Sequence, residues 1–443
     1  MGNLNGHIGS RLMRLALSED GGRDGLAHYE SSGVTTEVVD TYYYGDTNVE
    51  KQAYPCVVNQ RFVQQFTNLG AGTSQFVISP NQGVSDICVY LQMPQNGTFG
   101  LTNDASGSQL VEGWGYALIK SVSVRYGSSA QYFFSGPQIW LQNFWDAEDS
   151  RKRDNLASLG GTPVVGGNGV AGSEAFLYLN LPHNSPRADG KPLPFPSDLL
   201  VQPIIVTIEM NPTSAAFIAV SGGGNGTLPT QLNAAQIRVK QELMSDSADL
   251  LARRVDMNTH AYTFPLKYFP QQEVQVQIPT GSTSSAAPVS VNLTGFRAGE
   301  VRNILLWLTK NSDAAQYGPW YWQPMGNVVL TYNGEIFYQT TSTESQLWNL
   351  VTDTKEAGVG LSVPTGANAA TLTPRLSTWV DVPFAQVNVP YDKESKLVHG
   401  KPILNAVVNL TFTTPDSGAY TLHAVYLYNS SLLCSRGSSE YIF

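Results

Sequence analysis

From about residue 56 to the C-terminus, short stretches alternate apolar with polar residues and are bounded by Gly, Pro, Asn or Ser. Ile87-Cys-Val-Tyr-Leu-Gln-Met93 is one, and Gln236–Leu243, with Ile237, Val239 and Leu243 on one side, is another. A period of two belongs to a strand with one face buried, because successive side chains point to opposite faces. In the first half of the chain Phe76–Val84 leads into a strand at Ile87–Met93, and further strands are read at Ala117–Tyr126, Ala130–Phe134, Phe176–Leu181, Ile204–Met210 and Gln236–Leu243. A short helix is expected over Pro137–Phe144, and loops over 155–172 and 221–234. The second half reads as Val274–Ile278, Val289–Leu293, Val301–Leu308, Val328–Tyr332, Ile336–Gln339, Val407–Thr413 and Tyr420–Asn429, with a helix at Ser345–Leu350.

The two halves repeat one another. Val122-Ser-Val-Arg-Tyr-Gly127, then Tyr132, then Trp140 is matched by Val328-Val-Leu-Thr-Tyr-Asn-Gly334, then Tyr338, then Trp348. Ile204–Met210 followed by Gln236–Leu243 is matched by Val407–Thr413 followed by Leu422–Tyr428, and each pair reads as a closing hairpin. A spacing of roughly 200 residues is far beyond the 20–50 of a solenoid unit, so the repeat is a duplicated domain. About eight antiparallel strands per half is the count of a jelly roll. The predicted fold is therefore all-β: two tandem eight-stranded antiparallel jelly rolls with short helices in loops. Its expected parts are an N-terminal arm at 1–55, a first jelly roll at 56–247, a linker at 248–257 and a second jelly roll at 258–443.

Composition narrows the function. Charged residues make up 14% of the 443, against roughly 25% in an average soluble domain. So little charge on a large β-protein predicts surface buried against partners. Net charge is −9, and the densest basic run, Arg151-Lys-Arg153, is bracketed by Asp149 and Asp154. Direct sequence-specific nucleic-acid binding is not expected, since it needs a basic stripe. Residues 1–30 hold no apolar core of signal-peptide length, and no run near 18 apolar residues occurs. Cys56, Cys88 and Cys434 are too dispersed for a zinc site or a disulfide framework, and read as free, mostly buried thiols.

No catalytic constellation emerges. Gly167-Asn-Gly-Val-Ala-Gly172 spells GxGxxG, but the strand-like Glu174–Leu181 follows it where a dinucleotide site needs a helix. The six histidines are isolated; His260 and His423 fall in predicted strands, as hydrogen-bonded histidines rather than ligands. No catalytic, cofactor-binding or metal-binding residue is predicted, and no cofactor. Five Asn-x-Ser/Thr sequons occur, at Asn96, Asn225, Asn292, Asn409 and Asn429; Asn96 and Asn225 lie in loops and are the glycosylation candidates. Trp140, Trp145, Trp320, Trp322 and Trp348 read as core plugs and contact anchors, with a carbohydrate platform as the alternative.

Over about residues 56–443 the chain resembles the double jelly-roll major capsid proteins of icosahedral double-stranded DNA viruses. These include large eukaryotic DNA viruses, virophages and the adenovirus hexon lineage. Four segments carry the resemblance: Gln75–Pro94, Gly115–Gly127, Ile237–Glu242 through His260–Pro265, and Tyr426–Leu433. The resemblance implies a non-enzymatic capsid protein located in the virion shell. It implies a homotrimer of pseudo-hexagonal outline that contacts neighbouring capsomers, minor capsid proteins and, through the arm, an internal membrane. A tandem jelly-roll carbohydrate-binding protein and a minor capsid or spike protein are the alternatives.

Overall fold

The computed structural model describes residues 58–79, 83–94, 108–145, 172–182, 202–219, 228–243, 261–278, 288–294, 300–312, 322–345, 379–383, 401–402, 408–435 and 438–442, less 269, 333–334, 343 and 415–416. Short pieces at 155–162 and 195–200, less 157 and 198–199, are also described. The expected arm and linker lie outside these residues.

Eight main strands build the first lobe, besides three short ones at Ser108–Leu110, Phe195–Pro196 and Phe217–Ala219: β1 Val58–Gln65, β2 Gly72–Ile78, β3 Gly83–Gln92, β4 Ile119–Tyr126, β5 Tyr132–Ser135, β6 Glu174–Tyr178, β7 Ile204–Met210 and β8 Ala234–Leu243. They pair as two antiparallel sheets, ordered β1-β8-β3-β6 and β2-β7-β4-β5. Neighbours in a sheet are mostly distant in sequence, which is the crossing pattern of a jelly roll. The second lobe follows the same plan. Its first strand, β9, is broken at residues 269–270 into Ala261–Tyr268 and Gln271–Ile278. Then come β10 Val289–Leu293, β11 Glu300–Lys310, β12 Gly326–Tyr332, β13 Glu335–Thr340, β14 Trp379–Pro383, β15 Val408–Thr413 and β16 Gly418–Ser435. β16 and β11 anchor one sheet, with β9 on β16 and β14 on β11; the other sheet runs β10-β15-β12-β13.

The duplication extends to register. Ile87 of β3 lies opposite Val239 of β8, and Ile304 of β11 opposite Tyr426 of β16. Val124 faces Tyr132 across the β4–β5 hairpin, and Leu330 faces Tyr338 across β12–β13. A bulge falls at Ser85 in β3 and at Arg302 in β11, the same place in each copy. A one-residue slip would exchange core and solvent faces, so shared register means shared cores.

Those cores follow from the alternation. Ile87, Val89, Leu91, Ile237 and Val239 face Phe76, Val122, Val124, Val206 and Ile208, all buried. Ile304, Leu306, Leu308 and Ala424 face Val291, Val328, Leu330, Leu410 and Phe412 in the second lobe, again buried. Each such side chain contributes about 1.5–3 kcal/mol on leaving water. Tyr426, polar at its tip, donates its hydroxyl to Gln272 Oε1 at 2.6 Å.

Three expectations need correction. Ile204–Met210 and Gln236–Leu243 do not form a hairpin: β7 and β8 lie in opposite sheets, as do β15 and β16. The strand read over Ala117–Tyr126 is a helix, α1 Trp114–Leu118, before it becomes β4. All five α1 residues are buried, so the segment shows no alternation and periodicity cannot separate helix from strand. Gly113 opens α1 at φ 63, and Trp140 would clash with any Cβ there. Finally, the stretch read as loop at 155–172 carries helical residues at 155–156 and 158–159. The predicted helix at Pro137–Phe144 is α2, Gly136–Trp145. The predicted Ser345–Leu350 helix is described only at its start, with helical residues at 342, 344 and 345.

Candidate assembly surfaces

Each β1-type sheet has one face in the core and one turned outward, and the shared register allows the two outward faces to be compared position by position. Across the first lobe, one row reads Val63, Arg238, Cys88, Tyr178 and the next Gln65, Gln236, Tyr90, Phe176. The matching rows of the second lobe read Gln271, Val425, Leu305, Asp381 and Glu273, His423, Trp307, Trp379.

The first face is polar and half-exposed. The Arg238 guanidinium lies 4.3 Å above the Tyr90 ring and 5.3 Å from that of Phe176. This cation–π stack is braced by Tyr90 Oη donating to Glu174 Oε1 at 2.6 Å and by Arg238 donating to Gln236 Oε1. Asp86 pairs with Lys240 at 3.8 Å; burial nevertheless holds its carboxyl above the usual range. Val63, beside Arg238, is 47% exposed.

The second face is buried at its centre, with Gln271 and Glu273 at a more exposed margin. Leu305, Trp307 and Val425 are all 0% exposed. Trp307 stacks on Trp322 at 5.3 Å and on the His423 ring at 4.9 Å, nearly parallel. His423 Nε2 meets Thr309 Oγ1 at 3.0 Å and its Nδ1 lies 3.3 Å from Glu273 Oε1. That contact with His423 holds the Glu273 carboxyl below its ordinary value. His423 is thus the hydrogen-bonded strand histidine the sequence predicted; His260 is outside the described residues.

The first lobe touches this sheet at its edge, at Gln271. Ser135, at the end of edge strand β5, donates to Gln271 Oε1 at 2.8 Å. Beside it, the strand Ser438–Ile442, paired with the end of β16, clasps the β4–β5 turn. Ser439 Oγ donates to Tyr126 O at 2.6 Å, the Ser128 amide donates to Ser439 Oγ, and the Ser439 amide donates to Ser128 Oγ. Gly127, at φ 59, leaves room for this clasp; a Cβ would lie 2.9 Å from Ser439 Oγ.

Sequence-singled residues sort as follows. Asn96 and Asn225, with Trp320 and Trp348, lie outside the described residues. Asn292 and Asn409 are exposed and sit opposite one another on β10 and β15, and Asn429 is in β16. Trp140 and Trp322 are buried, as is Trp114, which the pattern did not single out. Gly172 precedes β6, so the GxGxxG stretch leads into a strand as expected. Among the described residues no cluster of His, Cys, Asp and Glu could hold a metal ion, and no helix is long and apolar enough to cross a membrane. Cys88 and Cys434 are not in a disulfide, and burial pushes the Cys434 thiol up to about 12. What the sequence did not reveal is the contrast between the two outward faces, although Arg238 against Val425 and Cys88 against Leu305 would have signalled it once registers were aligned.

No protein-family profile matches the chain, and no curated protein matches it. Solved structures do. PBCV-1 Vp54, as fitted into a cryo-EM reconstruction of the virophage Sputnik, superposes with a TM-score of 0.57 at 12% identity, over 90% of this chain and 100% of that one. The PBCV-1 virus capsid protein in a quasi-atomic model gives 0.55 at 11% identity, over 90% and 100%. The Faustovirus major capsid protein gives 0.54 at 10% identity, over 97% and 98%. At such identities the likeness speaks for architecture, and it agrees with the strand orders above: this chain has the fold of the double jelly-roll viral major capsid proteins.

Proposed function

We propose that this protein is the major capsid protein of an icosahedral DNA virus, located in the virion shell, and that it assembles as a trimer. The observation that carries this reading is the pair of lobes with matched strand order and register in one chain, together with the likeness of that fold to viral capsid proteins over 90% of the chain. A lobe that seats on its neighbour at one repeating angle generates a ring if the rotation closes. Three chains of two lobes supply six similar lobes, so a three-fold ring presents a hexagonal outline that tiles a shell. The low charge content fits a surface consumed by such contacts and by neighbouring capsomers. The arm at 1–55 is placed at the base of the ring, toward minor capsid proteins and an internal membrane. The role is structural rather than catalytic. The carbohydrate-binding alternative loses support because Trp140 and Trp322 are spent in the interior.

Light scattering and negative-stain imaging of the purified chain test the reading. Three chains of 48.1 kDa give a particle of about 144 kDa with six lobes around a three-fold axis. A chain that remains monomeric at every salt concentration and pH would overturn it.

A further inference from the structure

We infer that His423 is a pH sensor built into the joint between the two lobes: on gaining a proton it draws Gln271 away from Ser135 and loosens the joint. The inference concerns contacts within one chain, so it does not depend on the trimer reading.

Donors and acceptors around the ring fix its neutral state. Thr309 Oγ1 donates to the carbonyl of Thr421, which can only accept. The 3.0 Å contact between Thr309 Oγ1 and His423 Nε2 is then made with the ring proton on Nε2, which leaves Nδ1 bare. Gln271 fills that place. Its Nε2 lies 3.3 Å from Nδ1 and donates to Glu273 Oε1 at 2.9 Å, so both amide hydrogens are used. The amide is thereby held with its oxygen toward the first lobe, where it accepts from Ser135 at 2.8 Å.

A second proton on the ring goes to Nδ1 and sets that nitrogen against Gln271 Nε2, donor against donor. Glu273 Oε1, 3.3 Å from Nδ1, accepts the new N–H. Because its carboxyl is held below the ordinary value, Glu273 is still charged when the imidazole gains its proton. The nearly parallel stack on Trp307 accommodates the cation. Gln271 can no longer point Nε2 at the ring, and as its amide turns, its oxygen leaves Ser135. The site thus has two discrete hydrogen-bond patterns, and protonation selects between them.

Few other charges surround the ring among the described residues. β11 supplies Lys310, whose Nζ lies over the Tyr420 ring, and β14 supplies Asp381, opposite Leu305 in register. β16 itself places Thr421 and Val425 beside His423, and the strand Trp322–Gln323 carries no charge. On the first lobe, Lys120 and Glu209 pair with each other at 2.6 Å. Glu273 is therefore the carboxylate in contact with the ring. Histidine ordinarily changes charge between about pH 5 and 8, so the joint is firm at the upper end of that range and loosened at the lower.

Two measurements on the full chain test this. At about pH 8 Ser135→Ala should lower the melting temperature by about 1 °C, and the difference from wild type should vanish at about pH 5. In a His423→Gln background, where the ring proton cannot be gained, the cost of Ser135→Ala should be the same at both pH values. A Ser135→Ala cost that persists unchanged at the lower pH in the wild-type background would overturn the inference. Nitrogen NMR of histidine-labelled protein should find the His423 ring protonated on Nε2 alone at the higher pH. A ring protonated on Nδ1 there would equally overturn it.

Discussion

The outward faces of the β1-β8-β3-β6 sheet and its counterpart in the second lobe share strand order, register and bulge, yet the centre of the second is buried where the first is partly exposed. Arg238 stands where the second lobe has Val425, Cys88 where it has Leu305, and Tyr90 where it has Trp307. The backbone is therefore not what decides how a lobe meets its neighbour. Different side chains at the outward positions give one fold a partly exposed face in the first lobe and a buried centre in the second. The inner faces did not diverge in kind, because both must still fill a sandwich core.

The comparison breaks most sharply at Trp307. Trp307→Ala should destabilise the single chain by about 3–5 kcal/mol, since it empties a closed site between Trp322 and His423. Arg238→Ala, on the matching face, should cost less than about 1 kcal/mol in the same chemical-denaturation experiment. Equal costs would erase the distinction between the two faces.

A smaller effect is expected at the clasp between lobes. Gly127→Ala places a Cβ in the left-handed region and against Ser439, and should cost about 1–2 kcal/mol. Differential scanning calorimetry should show it as a lower melting temperature. Ser135→Ala removes the hydrogen bond to Gln271 and should cost about 0.5–1.5 kcal/mol.

The smallest effect depends on pH. Because contact with His423 lowers the folded-state pKa of Glu273, the pair contributes stability that is fully present above the ordinary carboxylate value. It is lost as pH falls through the folded value. With the Glu273 side chain 53% exposed, the contribution should be a few tenths of a kcal/mol. Denaturant titrations at about pH 7 and about pH 3 should show wild type losing slightly more than Glu273→Gln. On the matching face the Asp86 carboxyl, raised by burial despite its pairing with Lys240, should shift the opposite way.

Much of this was legible in the chain. Alternation located β7, β8 and β10 to within two residues but started β3 four residues late, and the Tyr126/Tyr332 and Tyr132/Tyr338 spacing announced the duplication. Pairing was not legible: β7 and β8 are consecutive major strands that sit in opposite sheets, because a jelly roll alternates sheets along the chain. The α1 helix was hidden because Trp114–Leu118 is buried all round, which leaves no polar face to mark a period. The candidate surface stayed hidden for a different reason. Val63, Arg238 and Cys88 come from three strands separated by long stretches of sequence, and only register makes them neighbours.

The most direct test is a three-dimensional reconstruction of the assembled oligomer. Six similar lobes should stand around a three-fold axis, two from each subunit. A reconstruction with any other subunit number, or one without that near-hexagonal outline, would contradict the account.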